Sequence, residues 1–417
     1  MSGAGGKPFA IPKSLVWRAW KSVKANKGAA GADGVTIEDF EKDLKGNLYK
    51  VWNRMSSGTY FPPPVRAVEI PKAAGGTRML GVPTVGDRVA QTVAAMALES
   101  RTESIFHDDS YGYRPRKGAL DAVAACRQRC WEKDWVIDLD VRAFFDSVPW
   151  DLMVTAVQAN TTHEQRWIVL YVRRWLAAPV VMPGGSIRER DTGTPQGSAI
   201  SPVLANLFMH YAFDTWLGRE FPAVRFERYA DDAVVHCATE RQAREVLAAL
   251  EQRMAETGLQ LHPDKTKIVY CRDRRRCQRY DGPDSFTFLG YTFRPRSAGT
   301  RDGTKAFTGF LPAVSKDALK TMSRRLRSWR LHRRTGTELH ELAAAINPVI
   351  RGWMNYYGKF CRTALNPLLR RINTYLMRWA RRKYKRLRTF SKARRWWHSL
   401  ITRQPAMFAH WTWMTQF

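Results

Sequence analysis

Two adjacent aspartates lie within an apolar segment in the second half of the chain. The stretch R-F-E-R-Y-A-D-D-A-V-V-H-C (225–237) places Asp231 and Asp232 between alternating and β-branched residues, which predict a half-buried strand pair. Neighbouring negative charges repel each other and destabilise a fold unless something neutralises them. The pattern is therefore typical of a surface turn or of a site that binds cations.

A second acidic segment lies upstream. The residues W-V-I-D-L-D-V (135–141) alternate as a strand and put Asp138 and Asp140 on one face. This strand and the hairpin carrying Asp231 and Asp232 can bring three carboxylates together, and divalent cations would stabilise such a cluster. Two Mg²⁺ ions about 4 Å apart can activate an attacking hydroxyl and stabilise a leaving phosphate oxygen. The acids therefore predict a two-magnesium site for chemistry on phosphates.

A loop rich in Gly and Pro separates the two acidic segments. In D-T-G-T-P-Q-G-S-A-I-S-P (191–202), Ser201 is the predicted N-cap of a helix and Pro202 its first residue. Gln196 and Gly197 lie where the backbone can closely approach a bound nucleotide. The local pattern fits a well-capped core helix equally well.

The charge of the chain points to a polyanionic partner. Its 417 residues include 68 Lys and Arg but 38 Asp and Glu, a net charge of +30, and the simplest acidic partner is a phosphate backbone. No uncharged apolar run reaches the roughly 18 residues of a membrane span. The six cysteines form no C-x-x-C pair, which favours a reducing, cytoplasmic compartment.

Most of this charge lies in the C-terminal quarter. Residues 316–417 hold 24 Lys and Arg against three acidic residues, a net charge of +21. Basic residues alternate with aromatic and aliphatic residues at helical spacing, which predicts a helical module that presents arginine to phosphate. The candidate RNA-binding residues are Arg324, Arg325, Arg330, Arg381, Arg382 and Arg386.

The order of the motifs resembles the palm of reverse transcriptases. More narrowly, the chain resembles the group II intron-encoded reverse transcriptases, or maturases, over about residues 15–400. The palm-like motifs are, in order, F-F-D, T-P-Q-G-S-x-x-S-P, Y-A-D-D, G-L-Q-L-H-P-D-K-T-K and F-L-G-Y-T-F. The segments N-K-G-A-A-G-A-D-G and S-Y-G-Y-R-P-R-K-G-A resemble the fingers of that family, and I-N-P-V-I-R-G-W-M-N-Y-Y-G-K-F resembles its maturase-specific thumb.

The resemblance implies a fold and a function. The fold would be α+β: a right-hand polymerase, with an antiparallel sheet in fingers and palm, followed by an α-helical thumb or maturase X domain. Residues 1–135 would form the N-terminal extension and fingers, 136–300 the palm and 301–417 the basic helical domain. The function would be an RNA-directed DNA polymerase that binds a group II intron RNA, assists its splicing and copies it into DNA. Its partners would be intron or template RNA, a DNA primer and dNTPs, with no membrane and an unspecified oligomeric state.

The resemblance also implies roles for the acids. Asp140 corresponds to the metal ligand of the first palm motif, with Asp138 as the local alternative. Asp231 and Asp232 correspond to the paired catalytic acids, Asp231 being the bridging ligand. F-L-G-Y-T-F resembles the hairpin that grips the primer end, where Gly290 permits a tight turn.

Further residues correspond to the nucleotide site of the family. Phe145 resembles the steric gate beneath the sugar, although plain core packing would also explain it. Lys72 and Arg78 resemble the cations that clamp the triphosphate. Lys265 resembles the lysine that protonates pyrophosphate, with Lys267 as its alternative.

The sequence is also compatible with two other functions. The chain lacks the cysteine pairs of an H-N-H endonuclease, so autonomous second-strand cleavage is not expected. A group II-like reverse transcriptase could serve repair or antiviral defence instead of an intron. A non-catalytic RNA-splicing factor is the third possibility, against which the intact acids argue.

Overall fold

The computed structural model describes residues 7–71, 76–299 and 306–417, and within them the fold is mixed α/β. The helices are α1 Lys13–Asn26, α2 Ile37–Lys42, α3 Leu44–Ser56, α4 Val85–Thr102, α5 Ala119–Glu132, α6 Phe144–Ser147, α7 Trp150–Ala159, α8 Arg166–Leu176, α9 Ser201–Met209, α10 Thr215–Glu220, α11 Glu240–Glu256, α12 Lys316–Ser328, α13 Leu339–Tyr357, α14 Asn366–Lys383 and α15 Phe390–Arg403. The strands are β1 Val65–Pro71, β2 Thr77–Val82, β3 Trp135–Asp140, β4 Val180–Val181, β5 Ile187–Arg188, β6 Arg225–Tyr229, β7 Asp232–Cys237, β8 Lys267–Tyr270, β9 Phe286–Phe288, β10 Tyr291–Gly299 and β11 Ala306–Val314. None of the described helices combines the length and apolar character that crossing a bilayer requires.

The chain divides into two compact units. Unit 1 comprises Met1–Ala122 and Ile137–Ile268, and unit 2 comprises Val123–Val136 and Val269–Phe417. The three-domain division at residues 135/136 and 300/301 stays a prediction.

The first sheet of unit 1 has the strand order β2-β1-β4-β5. β1 and β2 pair antiparallel from Arg66↔Val82 to Pro71↔Thr77, and the short β4 runs parallel to β1. This hairpin carries Arg78, opposite Ile70.

The second sheet has the order β6-β7-β3-β8, so β3 and β7 are its central strands. β3 covers the segment that sequence alternation predicts as a strand, and β6 and β7 form the predicted antiparallel hairpin. The half-buried character predicted for this hairpin is wrong for β7, where every residue from Ala233 to Cys237 is buried. β7 is a central strand whose two faces are both covered, so that even its polar residue His236 is buried, and alternation along the sequence does not reveal this.

The first residue of α9 differs by one position from its prediction. The helix begins at Ser201, and Ile200 occupies the N-cap position without a side-chain cap, while Pro202 lies in the first turn as expected. The Ser201 hydroxyl instead donates to the carbonyl of Pro195 at 3.0 Å and contacts the hydroxyl of Thr194. Buried carbonyls in the preceding loop compete with the helix end for this hydroxyl.

Unit 2 combines a sheet of order β11-β10-β9 with helices α12 to α15. On α14 the buried residues Leu369, Ile372, Leu376 and Trp379 recur at the predicted helical spacing and pack in the core of the unit. The turn between β9 and β10 consists of Leu289 and Gly290, with φ of 50° and 79°.

Candidate active site

The β6–β7 hairpin and the end of β3 carry the acidic side chains. Tyr229 pairs with Asp232 across the hairpin, so the turn consists of Ala230 and Asp231, and Ala230 has φ of 60°. Since β3 is the neighbour of β7, its residues Asp138 and Asp140 lie beside the hairpin.

The four carboxylates form one electrostatic cluster. Burial raises the pKa of Asp232 well above its usual range, and the charges of Asp138, Asp231 and Asp140 raise it further. Burial also raises the pKa of Asp231, with an added contribution from Asp140. The pKa of Asp138 rises to about 7, chiefly through burial. Ionising all four groups together is therefore unfavourable without nearby positive charge.

Two lysines of the segment before and at the start of β8 supply part of that charge. Lys265 Nζ lies 3.2 Å from both carboxylate oxygens of Asp140, whereas Lys267 Nζ lies 3.8 Å from Asp138 Oδ2. The side chain of Asp140 is 40% exposed and that of Asp138 is 15% exposed. Each acid on β3 thus has its own lysine, and the more accessible acid is Asp140.

The donor set suits a hard divalent cation. Carboxylate oxygens are the ligands that Mg²⁺ prefers, and a cation would offset the repulsion that raises the pKa values of Asp231 and Asp232. Within the described chain, however, Asp140, Asp231 and Asp232 do not each bring an oxygen within 4.8 Å of the other two. Simultaneous ligation of one ion by all three thus requires side-chain movement.

A buried ion pair beneath the hairpin turn was missed by the sequence reasoning. Arg228 and Asp214 have fully buried side chains, joined by bonds of 2.6 and 2.7 Å. Arg228 also donates to the carbonyl of Ala230 at 2.9 Å and to Ser110 Oγ at 2.8 Å. These bonds fix the left-handed residue that sets the direction of Asp231. The available signal was the pair of neighbouring charged residues Glu227 and Arg228 in a strand predicted to be half-buried, because adjacent residues face opposite sides of a strand and one of the two must face the interior.

Tyr113 is a second residue that the sequence reasoning did not single out. It has φ of 57°, is 54% exposed, and its ring centroid lies 6.2 Å from that of Tyr229. Burial raises the pKa of Tyr113, the charge of Asp231 raises it further, and Arg78 lowers it. Tyr113 is therefore close to both the acidic cluster and Arg78. Lys72 lies outside the described residues.

The loop carrying Gln196 and Gly197 approaches β2 closely. The amide of Gly81 donates to the carbonyl of Gln196 at 2.7 Å, and a Cβ on Gly197 would lie 2.7 Å from the carbonyl oxygen of Gly81. Gly197 has φ of 104°, so both its conformation and its surroundings require glycine. Phe145 and Gln196 line a cavity of about 330 Å³ together with Met79.

Buried polar side chains of α4 support this loop. The amide of Ala199 donates to Gln91 Oε1 at 2.8 Å, and Gln91 Nε2 donates to Asp87 at 2.9 Å. Asp87 also accepts bonds from Tyr60 and Trp175, both at 2.8 Å. Burial raises the pKa of Asp87 to about 6, although these bonds oppose the shift. The contacts join residues far apart in the sequence, so no local pattern could predict them.

The six arginines proposed to bind RNA are all exposed in unit 2, and in the part of the chain that the structure describes none forms an ion pair. Two of them also donate to backbone carbonyls. Arg381 donates to the carbonyl of Arg388 at 2.8 and 3.0 Å, and Arg382 donates to that of His332 at 3.3 Å. Their positive charges stay accessible to an anionic partner.

Two family models match the chain. Residues 70–293 match the reverse transcriptase (RNA-dependent DNA polymerase) model. Residues 319–397 match the maturase-specific domain of group II introns.

Curated relatives agree with these matches. Protein YkfC of Escherichia coli (strain K12) is 30% identical over 307 residues, which cover 64% of this chain and 77% of YkfC. The group II intron-encoded protein LtrA of Lactococcus lactis subsp. cremoris is 26% identical over 203 residues, covering 48% of this chain and 33% of LtrA. The putative COX1/OXI3 intron 2 protein of Saccharomyces cerevisiae is 28% identical over 213 residues, covering 49% of this chain and 23% of that protein. The chain thus spans a third or less of the two intron-encoded relatives.

Proposed function

The chain belongs to the reverse transcriptase family, whose members are RNA-directed DNA polymerases, and from this premise we propose that it copies a group II intron RNA into DNA and assists the splicing of that RNA. The observation that carries the proposal is the cluster of Asp138, Asp140, Asp231 and Asp232. Within it, the charge of Asp140 raises the pKa values of both hairpin acids. A second compact unit containing the maturase-specific match and most of the positive charge supports the RNA-binding part.

In this proposal Asp140, Asp231 and Asp232 hold the divalent cations that reverse transcriptases generally use, and we expect two Mg²⁺ ions. When bound, such ions activate the primer 3′-hydroxyl and stabilise the departing phosphate oxygens. Arg228, through Ala230, keeps Asp231 directed into the cluster. Lys265, which contacts Asp140, would donate a proton to pyrophosphate.

The residues around the acids would select and orient the nucleotide. Arg78, with Lys72, would bind the triphosphate. The backbone at Gln196 and Gly197 would contact the nucleotide, and Phe145 would exclude a ribose 2′-hydroxyl. The accessible cavity beside Phe145 and Gln196 supports this arrangement.

The remaining parts of the proposal concern architecture and partners. We propose that the two sheets of unit 1 correspond to the fingers and palm of a right-hand polymerase, and that the helices of unit 2 correspond to the thumb and maturase domain. The exposed arginines would hold intron or template RNA by charge and shape, whereas base pairing with the template would determine which nucleotide is added. We expect the protein to act in the cytoplasm.

The deciding experiment combines two assays on the purified chain. Primer extension on an RNA template with dNTPs and Mg²⁺ tests polymerisation, and splicing of the RNA that flanks its gene, with and without protein, tests the maturase role. DNA synthesis together with stimulated splicing is the expected result. Synthesis without any effect on splicing would favour a repair or defence role, and stimulated splicing without synthesis would identify a non-catalytic splicing factor.

A single substitution tests the gate. Phe145→Ala should let ribonucleotides be incorporated, because removal of the ring opens space beside the sugar. The measurement is the ratio of kcat/KM for dNTP and rNTP on the same primer and template, expected to fall by about a hundredfold. Phe144→Leu, which alters the adjacent buried ring, is the control for general loosening of α6. An unchanged ratio would leave Phe145 as a packing residue.

A further inference from the structure

Unit 1 contains an apolar cavity formed by α1 and α3. Its volume is about 450 Å³, within the range of pockets that bind ligands. The exposed fractions of Trp17 and Tyr49, two of its lining residues, are 45% and 54%. Besides lysines, the lining residues are Val16, Trp17, Leu44, Leu48, Tyr49 and Trp52.

Lysine ammonium groups surround this cavity. Lys7 Nζ lies 3.4 Å and Lys13 Nζ 4.5 Å from the centroid of the Trp52 ring, and Lys21 Nζ lies 5.4 Å from that of Trp17. Lys13 and Lys45 belong to the lining itself, which for the described residues includes no acidic side chain. Partial desolvation lowers the pKa of Lys7, and the charge of Lys13 adds to this effect. The rim is thus positively charged without a carboxylate of its own.

The chemistry of the cavity selects among possible occupants. Aliphatic side chains form much of its lining, so a nucleobase inserted there would bury polar edges without hydrogen-bond partners. The face of Trp52 is already covered by ammonium groups, which a stacked base would have to displace. An aliphatic or aromatic side chain has no such cost, and carboxylates beside it could pair with the lysines.

We propose that this cavity binds an acidic segment of a partner protein, with one large apolar side chain inserted between α1 and α3. Carboxylates on either side of that anchor would pair with Lys7, Lys13 and Lys45. The ligand must therefore contain both an apolar anchor residue and acidic residues beside it.

The first residues of the chain do not supply this ligand. These residues, M-S-G-A-G-G, contain no acid. A second copy would bring a net charge of +30 towards a lysine-rich rim, which opposes self-association at this surface. Charge complementarity therefore favours a different protein over the first residues of this chain and over a second copy of it.

The test uses the full chain and a fluorescein-labelled peptide with the sequence Gly-Asp-Glu-Phe-Leu-Asp-Glu-Gly. Fluorescence anisotropy measures its binding to wild type, to the double variant Lys13→Glu/Lys45→Glu, and to Tyr49→Ala. Each altered residue is exposed, so the fold should be retained, and circular dichroism checks this. The matched controls are Lys50→Glu, an exposed lysine of α3 outside the lining, and Phe390→Ala, an aromatic residue of unit 2 with 56% exposure.

The expected result is saturable binding that weakens about tenfold or more in the two cavity variants and less than about twofold in the two controls. A peptide with Lys in place of each acid should not bind. Equal affinity for all variants would overturn the proposal. A twelve-nucleotide single-stranded RNA is the competitor. If this RNA displaced the peptide and bound Tyr49→Ala more weakly than wild type, the cavity would be a nucleic-acid site and the proposal would be overturned. Primer extension by the same variants is read separately, so failure of the peptide test leaves the polymerase proposal intact.

Discussion

Charged side chains are clustered in part of unit 1 and dispersed in unit 2. In unit 1, Asp138, Asp140, Asp231 and Asp232 are held within one partly buried cluster, and burial together with their mutual repulsion raises the pKa values of Asp231 and Asp232. In unit 2, residues 316–417 spread 24 basic side chains over helices whose apolar faces form the core. Concentrated charge is costly and needs a rigid support, whereas dispersed charge on a surface is solvated and costs little.

Substitutions in the two units should therefore have different consequences. A reaction needs a few groups in fixed positions, so loss of one should abolish it. Binding to a polyanion sums many similar contacts, so loss of a few should weaken it by degrees.

The largest effect is expected for Asp231→Ala/Asp232→Ala. DNA synthesis in primer extension should fall by at least about a thousandfold, because the electrostatic centre of the reaction is removed. RNA affinity, measured by filter binding, should change less than about twofold because the arginines proposed to bind RNA belong to unit 2. A parallel collapse of RNA binding would show that the hairpin supports the RNA surface, and the contrast between the units would fail.

The buried ion pair of unit 1 should matter far more than an exposed one of unit 2. Arg228→Leu leaves Asp214 unpaired in the interior and should lower the free energy of unfolding by about 3 to 5 kcal/mol. Lys320→Leu, which breaks the pair with Asp317 on α12, where both side chains are mainly exposed, should cost about 1 kcal/mol or less. Native-state hydrogen exchange at β6 and α13 measures each unit separately.

The double variant Arg228→Leu/Asp214→Leu serves as the control for the first substitution. It removes both charges and should be less destabilised than Arg228→Leu alone. Equal destabilisation would assign the loss to packing and not to an unpaired charge.

The pH dependence of stability should have opposite signs in the two units. In unit 2, burial lowers the pKa of His410, whose Nε2 contacts Asn373 Oδ1 at 2.6 Å, to about 3. Between pH 6.5 and 3 the unfolded chain binds the proton and the folded one does not, so stability falls as pH decreases, by about 5 kcal/mol in total. In unit 1, burial raises the pKa of Asp87 to about 6. Between pH 4 and 6 the folded chain holds the proton, so stability falls as pH increases, by about 3 kcal/mol.

Hydrogen exchange of each unit across this pH range, in wild type, His410→Gln and Asp87→Asn, tests both signs. Each variant should lose only the contribution of its own group, and only in its own unit. In unit 1 the raised pKa values of Asp138, Asp231 and Asp232 leave a remainder of the same sign in Asp87→Asn. If Asp87→Asn left the slope of unit 1 unchanged between pH 4 and 6, Asp87 would not carry a raised pKa.

The smallest effect is expected for neutralising Arg381, Arg382 and Arg386 together with Gln. RNA affinity should decrease about tenfold, and the log–log salt slope should lose nearly one unit per phosphate contact removed. Arg381 and Arg382 also hydrogen-bond to backbone carbonyls, so the melting temperature of the variant is the control. An unchanged slope would show that these arginines do not face RNA.

Local patterns predicted the elements of the site well. Alternation identified β3 and the β6–β7 hairpin, and helical spacing identified the buried face of α14. The predicted N-cap at Ser201 and the half-buried character of β7 were wrong. In both cases the deciding contacts come from other segments: carbonyls of the preceding loop, and layers covering both faces of the sheet.

The amino-acid order by itself determined where charge lies along the chain and which residues could perform chemistry, because charge, period and motif are properties of neighbouring residues. Three contacts follow from the packing of distant segments: Lys265 pairs with Asp140, Arg228 donates to Ser110, and Gln91 connects Asp87 to the loop that carries Gln196. The first two of these contacts join residues 125 and 118 positions apart. Their formation depends on how strands and helices pack, which no local spacing encodes.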